Sequence, residues 1–323
     1  MQGTNDFWQF FVGLRGVRDG TLLHCKRIGQ AEVGYLTRDR VGFPLFLLKD
    51  DSGIRKPSLV LEHVRVEYGL QCQVADDRST FDGVFTGITC ASDDAGLQEL
   101  FVKSFSDLLG TAIETISGRD IDNYVRSLVE LFRGLSRPNL RSIKGLWGEL
   151  LLISMSSNPE VLLNAWRLDT QDAYDFSGTG MHIEVKCSEG DGRVHDFSLR
   201  QIRPSDSSVV YIASFMLMSS ASGVTIAELA ERISTRVSAL SDVRAKLWGN
   251  VFSTLGANYR EADEYRFSED YAKSHLLLAR AEGMPWYSES LPKGILNVHA
   301  KIDMASVDEA SVVNWSFLEE LLK

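Results

Sequence analysis

From His63 to Val74, within a stretch that opens at Val60, polar and apolar residues alternate. Val64, Val66, Tyr68, Leu70, Cys72 and Val74 share one parity, and His63, Arg65, Glu67, Gln71 and Gln73 hold the other. Side chains switch faces at each step of a strand, so this pattern predicts a half-buried antiparallel strand. Leu45–Leu48 is an apolar run closed by Lys49-Asp50-Asp51-Ser52-Gly53, which is turn chemistry. Val84–Cys90 predicts a further strand, and Phe7–Leu14 a short amphipathic helix. The first stretch, residues 1–95, therefore reads as a β-rich module. Residues 96–323 read as a helical segment followed by a second domain.

The period then lengthens. Leu97, Leu100, Phe101, Phe105, Leu108 and Ala112 recur at helical spacing, as do Ile121, Tyr124, Val125, Leu128, Phe132 and Leu135. Ser136-Arg137-Pro138-Asn139 ends the second of these helices. A third is expected over residues 140–155, and a fourth opens at Pro159. Two short strands with a glycine-bearing turn at Ser177-Gly178-Thr179-Gly180 predict a hairpin. Its second strand is His182-Ile183-Glu184-Val185-Lys186-Cys187. Ile183, Val185 and Cys187 face the core, and His182, Glu184 and Lys186 the opposite side. Residues 194–202 read as a short helix, and Val209–Met218 as a central strand. Thr225-Ile226-Ala227-Glu228 is a capping box. A helix is expected over 243–255, strands over 274–279 and 297–304, and a closing helix over 312–322.

Composition narrows this little. The chain has 323 residues, 44% hydrophobic and 24% charged, with net charge −10, which is ordinary globular material. The acidic balance argues against a uniformly basic nucleic-acid coat but leaves room for a local basic groove. Cys25, Cys72, Cys90 and Cys187 form no CxxC pair, so a zinc cluster is not expected, and core thiols in a reducing cytoplasm are. Ser207–Ala227 lacks charge but carries seven Ser/Thr side chains, and reads as a buried strand and loop, not a membrane span. The Phe-rich start has no basic leader and does not read as a secretory signal.

One constellation asks for chemistry. Asp175 and Glu184, from adjacent strands, make a hard oxygen site suited to Mg²⁺ or Mn²⁺, which the backbone carbonyl of Val185 could join. Lys186 stands where it can act on a metal-bound water or stabilise charge on a phosphoryl group. This combination suits phosphodiester hydrolysis; a surface ion pair is the bland alternative. Glu149, in an apolar helix, needs a partner or a metal: either it serves the site, or it pairs with Lys144 or an arginine. Gln201 by itself reads as a capping or core-bridging amide. His195 reads as a proton-transfer group or nucleic-acid contact, or as a structural histidine. Arg126, Arg133, Arg137, Arg141 and Lys144 form a basic cluster, either a phosphate-tracking patch or a solvated helix face.

Helix-Glu, then Asp, then Glu-x-Lys on a hairpin, then a Gln-bearing helix resembles the PD-(D/E)XK nuclease superfamily. A bacterial family of unknown function, placed provisionally in that superfamily, is closer. Its pattern is matched by Gly145-Leu146-Trp147-Gly148-Glu149, Asp175-Phe176, Glu184-Val185-Lys186 and His195-Asp196-Phe197-Ser198-Leu199-Arg200-Gln201. The motif region covers residues 145–201. Tyr174 stands where the superfamily has proline. The resemblance implies an α+β, restriction-endonuclease-like mixed sheet flanked by helices. It implies Asp175, Glu184 and Glu149 as metal ligands, Lys186 as base, and Gln201 near the scissile phosphate. It also implies a DNA endonuclease of a restriction-like anti-phage system, with DNA a better candidate than RNA. ATPase or other defence proteins would be its partners, and a homodimer is left open. The alternative is a non-catalytic or weakly active scaffold subunit.

Overall fold

The structure is a computed structural model. It describes residues 4–14, 22–29, 33–50, 57–112, 125, 126, 129, 143–167, 172–190, 192–203, 207–237, 242–255, 265–285 and 298–322. The chain is mixed α+β and divides into two compact units. One holds Met1–Asn139 with Ser238–Glu261, the other Leu140–Val237 with Ala262–Lys323. The division does not follow the expected boundary near residue 95, because the helix after it packs on the first sheet.

The first unit is built on a seven-stranded sheet. Its strands are β1 (Leu22–His24), β2 (Lys26–Ile28), β3 (Gly34–Arg38), β4 (Pro44–Lys49), β5 (Leu59–Val60), β6 (Val64–Ala75) and β7 (Thr80–Cys90), flanked by α1 (Thr4–Gly13) and α2 (Ala95–Ala112). The pairing path runs β1-β6-β7-β4-β3-β2, with β5 on β6. The two ends of that path, β1 and β2, are separated in sequence only by Cys25, so the sheet curls back on itself. Cys25, Tyr35, Leu45, Leu47, Val74 and Phe85 fill the inside of the curl. The next residue of β4, Phe46, points the other way and stacks on Phe101 and Phe105 of α2. Burial on both faces explains the continuous apolar run of β4. The alternation of β6 is real but interrupted: its pairing with β7 slips between Glu67 and Leu70, at Gly69 with φ +69°. Glycine adopts that conformation without strain. The expected helix over 121–135 lies almost wholly outside the described residues. Helix α7 (Val243–Leu255) joins this unit through Arg244, whose Nη1 lies 2.8 Å from Asp107 Oδ1.

The second unit has a five-stranded sheet of order β15-β13-β11-β9-β8. These are β8 (Phe176–Gly178), β9 (Met181–Glu189), β11 (Val209–Leu217), β13 (Leu277–Arg280) and β15 (Val312–Val313). Strands β9 and β11 are parallel and the other pairs antiparallel. Helix α3 (Ile143–Met155) rides on one face. It comes so close that a Cβ on Gly148 would stand 2.3 Å from Cys187 Sγ. Trp147 Nε1 donates to Val224 O at 2.8 Å, tying α3 to the end of β12 (Ser219–Val224). There the Thr225 box caps α6 (Ile226–Ser234) as expected.

The opposite face carries a two-stranded ribbon, β10 (Val194–Ser198) against β14 (His299–Asp303). Phe197 and Ile302 of the ribbon join Val210 and Ile212 of β11 in one apolar cluster. The short helix expected over 194–202 is therefore mostly strand. His195 and Phe197 alternate inward, and a partner about a hundred residues later completes the pairing; only α5 (Leu199–Ile202) is helical. Likewise, residues 269–274 form helix α8 before β13, and the closing helix, α9, covers only Trp315–Leu321. Helix α4 (Pro159–Ala165) follows α3. No helix among the described residues is long and apolar enough to cross a membrane.

Candidate active site

The site lies where β8 begins. Its first residue, Phe176, pairs with Ile183, so the next residues of β9 run past the start of β8. Asp175 fills the gap: its Oδ2 accepts the Val185 N–H at 2.7 Å. Amide and carbonyl of one strand residue point to the same side, so the Val185 carbonyl also faces this edge.

Three carboxylates converge from three elements, and all are buried: Glu149 of α3 is 3% exposed, Asp175 2% and Glu184 3%. Such groups need partners. Glu149 is positioned by the close approach of Gly148 to β9, which lets the helix deliver the next side chain to the sheet edge. Its Oε2 accepts the Trp166 indole N–H at 2.6 Å. Arg167 Nη2 lies 2.7 Å from Asp175 Oδ1 and 3.9 Å from Glu149 Oε1. Glu184 Oε1 meets Lys186 Nζ at 2.8 Å and the Gln201 amide at 2.5 Å. Its other oxygen, Oε2, is buried with no hydrogen-bond partner among the described residues. Burial first, and the nearby Asp175 second, push the Glu184 carboxyl up to about 8, against the opposing pull of Lys186 and Arg167.

Lys186 is held from two sides. Its Nζ pairs with Glu184 and lies 5.1 Å from the centroid of the Phe197 ring. Gln201 makes two contacts. Its carbonyl accepts the Ser198 N–H at 2.9 Å, capping α5, and its amide reaches Glu184. Two sets thus adjoin: Glu149 and Asp175 share Arg167, Glu184 holds Lys186 and Gln201, and the backbone of Val185 ties Asp175 to the strand between them.

The expected nucleic-acid contacts are not gathered in this way. His195 is buried, its Nε2 2.7 Å from Ser214 Oγ, so it offers no surface to a phosphate. Burial, helped by the charges of Lys186 and Arg193, pushes its pKa down to about 4. Lys144 pairs with Glu189. Arg126 is exposed in helical backbone of the first unit. Arg133, Arg137 and Arg141 lie outside the described residues. Sequence reasoning missed Trp166 and Arg167. Their signal was weak: an aromatic and a cation directly after a short helix, eight residues before Asp175.

The oxygen donors have the chemistry of a hard-cation site, and the unpartnered Glu184 Oε2 is the acceptor such an ion would satisfy. In the conformation described, however, the Glu149 and Asp175 oxygens face protein donors. Among the described residues no group of three or more His, Cys, Asp or Glu side chains is arranged around a metal-sized space. The donors are of the type such an ion takes, and the Arg167 guanidinium stands against two of them.

No curated protein and no solved structure matches the chain. A family model described as "Putative PD-(D/E)XK family member, (DUF4420)" matches residues 52–305. That span covers most of the chain and every carboxylate of the site, and the protein belongs to this family.

Proposed function

We propose that this protein is a divalent-metal-dependent nuclease that hydrolyses phosphodiester bonds, with DNA as its substrate. One observation carries the reading: a buried Asp and Glu stand with a half-buried Lys at a sheet edge, with one carboxylate oxygen left unpartnered. A merely structural ion pair has no use for that oxygen, since an unsatisfied buried acceptor is costly. Asp175, Glu184 and the Val185 carbonyl would hold Mg²⁺ or Mn²⁺, with Glu149 as a further ligand. Such an ion supplies Lewis acidity and an acidified water. Lys186 Nζ, steered by Glu184 and the Phe197 ring, is placed to move a proton at the attacking water or to hold charge on a phosphoryl oxygen. Gln201 fixes the orientation of Glu184 and thereby of Lys186. The choice of DNA, the anti-phage defence setting, the ATPase partners and a cytoplasmic location rest on the family resemblance.

The test is cleavage of plasmid and linear DNA by purified protein in Mg²⁺ or Mn²⁺, beside Lys186→Ala and Asp175→Ala. Loss of cleavage in both variants with unchanged circular dichroism supports the reading; equal nicking by all three proteins defeats it. The absence of a three-carboxylate cage among the described residues favours a second reading, a binding or scaffold subunit with a nuclease-like fold. A scaffold shows no Mn²⁺ binding that depends on Glu184.

A further inference from the structure

We infer that Arg167 is a built-in counter-cation: its guanidinium occupies the position on Asp175 and Glu149 that a divalent metal would take, and the two exclude one another. The inference rests on the metal-dependent reading above and concerns what must happen before the ion can enter.

The four oxygens of Glu149 and Asp175 show why. Glu149 Oε2 takes the Trp166 indole and Asp175 Oδ2 takes the Val185 amide, at 2.6 and 2.7 Å. Both are neutral donors on the outer side of the pair, and neither competes with an ion on the other oxygens. The remaining two, Asp175 Oδ1 and Glu149 Oε1, face the same nitrogen, Arg167 Nη2. One positive group thus bridges the two carboxylates, as a ligated cation would. The bridge is closer to Asp175, at 2.7 Å, than to Glu149, at 3.9 Å.

The location of Arg167 is enforced by the backbone. Trp166 forms an isolated antiparallel bridge with Phe176, and the Arg167 N–H donates to Asp175 O at 2.8 Å. The side chain therefore starts beside the carboxylate it covers. Its other terminal nitrogen, Nη1, has an anchor outside the acid pair, the Asp172 carbonyl at 3.3 Å. The guanidinium can release Nη2 from the carboxylates and keep that anchor.

Arginine suits this role better than lysine. It stays charged at any pH the protein meets, so it neutralises the buried acids before metal arrives. It is also more weakly hydrated than an ammonium, which makes it a better occupant of a buried site. Without it, Asp175 and Glu149 would be left as buried charges lacking this partner, the situation that most disfavours a fold. A guanidinium that only braced the site would help hold the ligands in place, so its loss would weaken metal binding. A guanidinium that stands in for the metal must do the opposite.

The experiment is Mn²⁺ titration by calorimetry on the full chain, its Arg167→Gln and Arg167→Lys variants, and Glu184→Gln. The expected result is Glu184-dependent binding in the unaltered protein and binding about tenfold or more tighter in Arg167→Gln, since removing a unit charge at contact distance is worth at least that factor. Thermal melting without metal should fall in the same variant, and added Mn²⁺ should restore more of it than in the unaltered protein. Should Arg167→Gln not fold, Arg167→Lys carries the test, with tightening of smaller size. A second readout is the Nε–H resonance of Arg167, assigned by its loss in Arg167→Lys. It should move on saturation with Mg²⁺ while that of Arg244 stays. Glu184-dependent binding with no tightening in either variant, or an Arg167 resonance unmoved at saturation, overturns this inference and leaves the nuclease reading standing. No Glu184-dependent binding in any form overturns the metal-dependent reading itself, and this inference with it.

Discussion

Each unit of the molecule buries a carboxylate against an arginine and a tryptophan, and the two arrangements differ in a way that separates architecture from chemistry. In the first unit Asp107 of α2 takes Arg244 Nη1 at 2.8 Å and Trp248 Nε1 at 3.1 Å, both from α7. Both oxygens of Asp107 are met, and the contacts clamp two helices. In the second unit Glu149 takes the Trp166 indole, but its arginine is drawn towards Asp175, and a third acid, Glu184, stands beside them. Arg167 and Lys186 are shared among three buried carboxylates, and one oxygen stays unpartnered among the described residues. A buried carboxylate with both oxygens met is a clamp; a cluster with an open carboxylate oxygen has an acceptor to spare. The teaching is that the residue types alone do not mark the site. The imbalance does.

The sharpest way to break this contrast is to remove one charged group from each cluster. Asp175→Ala or Lys186→Ala is expected to lower DNA cleavage about 10³-fold or more, the scale of loss for a group acting directly on the reacting centre. Asp107→Ala is expected to leave cleavage per folded molecule unchanged. Single-turnover cleavage at saturating Mg²⁺, normalised to folded protein, measures both. Equal losses would erase the distinction between the units.

Stability should show the reverse order. Asp107→Ala leaves the Arg244 guanidinium buried without this carboxylate, and breaking a buried pair from one side costs about 3–5 kcal/mol. The same substitution at Asp175 removes a group already crowded by like charge, so its cost in chemical denaturation should be smaller. A larger loss at Asp175 than at Asp107 would mean that the site cluster is the clamp.

The packing that delivers Glu149 is open to a finer probe. A Cβ on residue 148 would overlap Cys187 Sγ and crowd Val185 Cγ1, at 2.3 and 3.2 Å. Gly148→Ala should cost about 1–3 kcal/mol through forced repacking. It should also weaken cleavage by lifting α3, and Glu149 with it, off β9. Pairing it with Cys187→Ala, which vacates the space, should restore part of both. No rescue would show that the close approach of α3 is incidental.

Much of this was legible in the sequence because it is local. The parity of Ile183 and Val185 against Glu184 and Lys186, the turn at Gly180, the Thr225 cap and the period of α2 all express the backbone geometry of a few neighbouring residues. The misreadings share the opposite property. Residues 194–198 are strand because their partner lies at 299–303, and α7 belongs to the first unit because Arg244 finds Asp107 across 137 positions. Arg167 was overlooked for the same reason: nothing in Trp166-Arg167 itself says that its backbone pairs with Asp175-Phe176. Asp175, Glu184 and Lys186 could be named from their pattern, and Glu149 and Gln201 from the family resemblance; which oxygen would be left open depended on how all their partners were distributed.

The smallest expected effect compares the two units by pH. In the first unit, burial works to raise the Asp76 carboxyl, but Arg27 and the amides of Arg78 and Ser79 outweigh it and hold the group below the usual carboxylate range. Its stabilising contribution is complete above the ordinary aspartate pKa and is lost only as pH falls below that, so it adds no slope at mildly acidic pH. In the second unit His195 behaves differently. Arg193 donates to Ser214 Oγ at 3.1 Å, so the serine hydroxyl has its own proton to offer to His195 Nε2, which suits a neutral ring. With the folded pKa near 4 and the unfolded one near 6.5, the unfolded chain binds the extra proton first as pH drops. The stability that His195 contributes is therefore full above about pH 6.5 and declines as pH falls towards 4, by about 2 kcal/mol at pH 5. Denaturant unfolding at a series of pH values should show that slope in the unaltered protein and a flatter one in His195→Gln, whose side chain can still meet Ser214 but cannot titrate. An unchanged slope would place the acid sensitivity elsewhere and leave His195 a plain packing residue beneath Lys186.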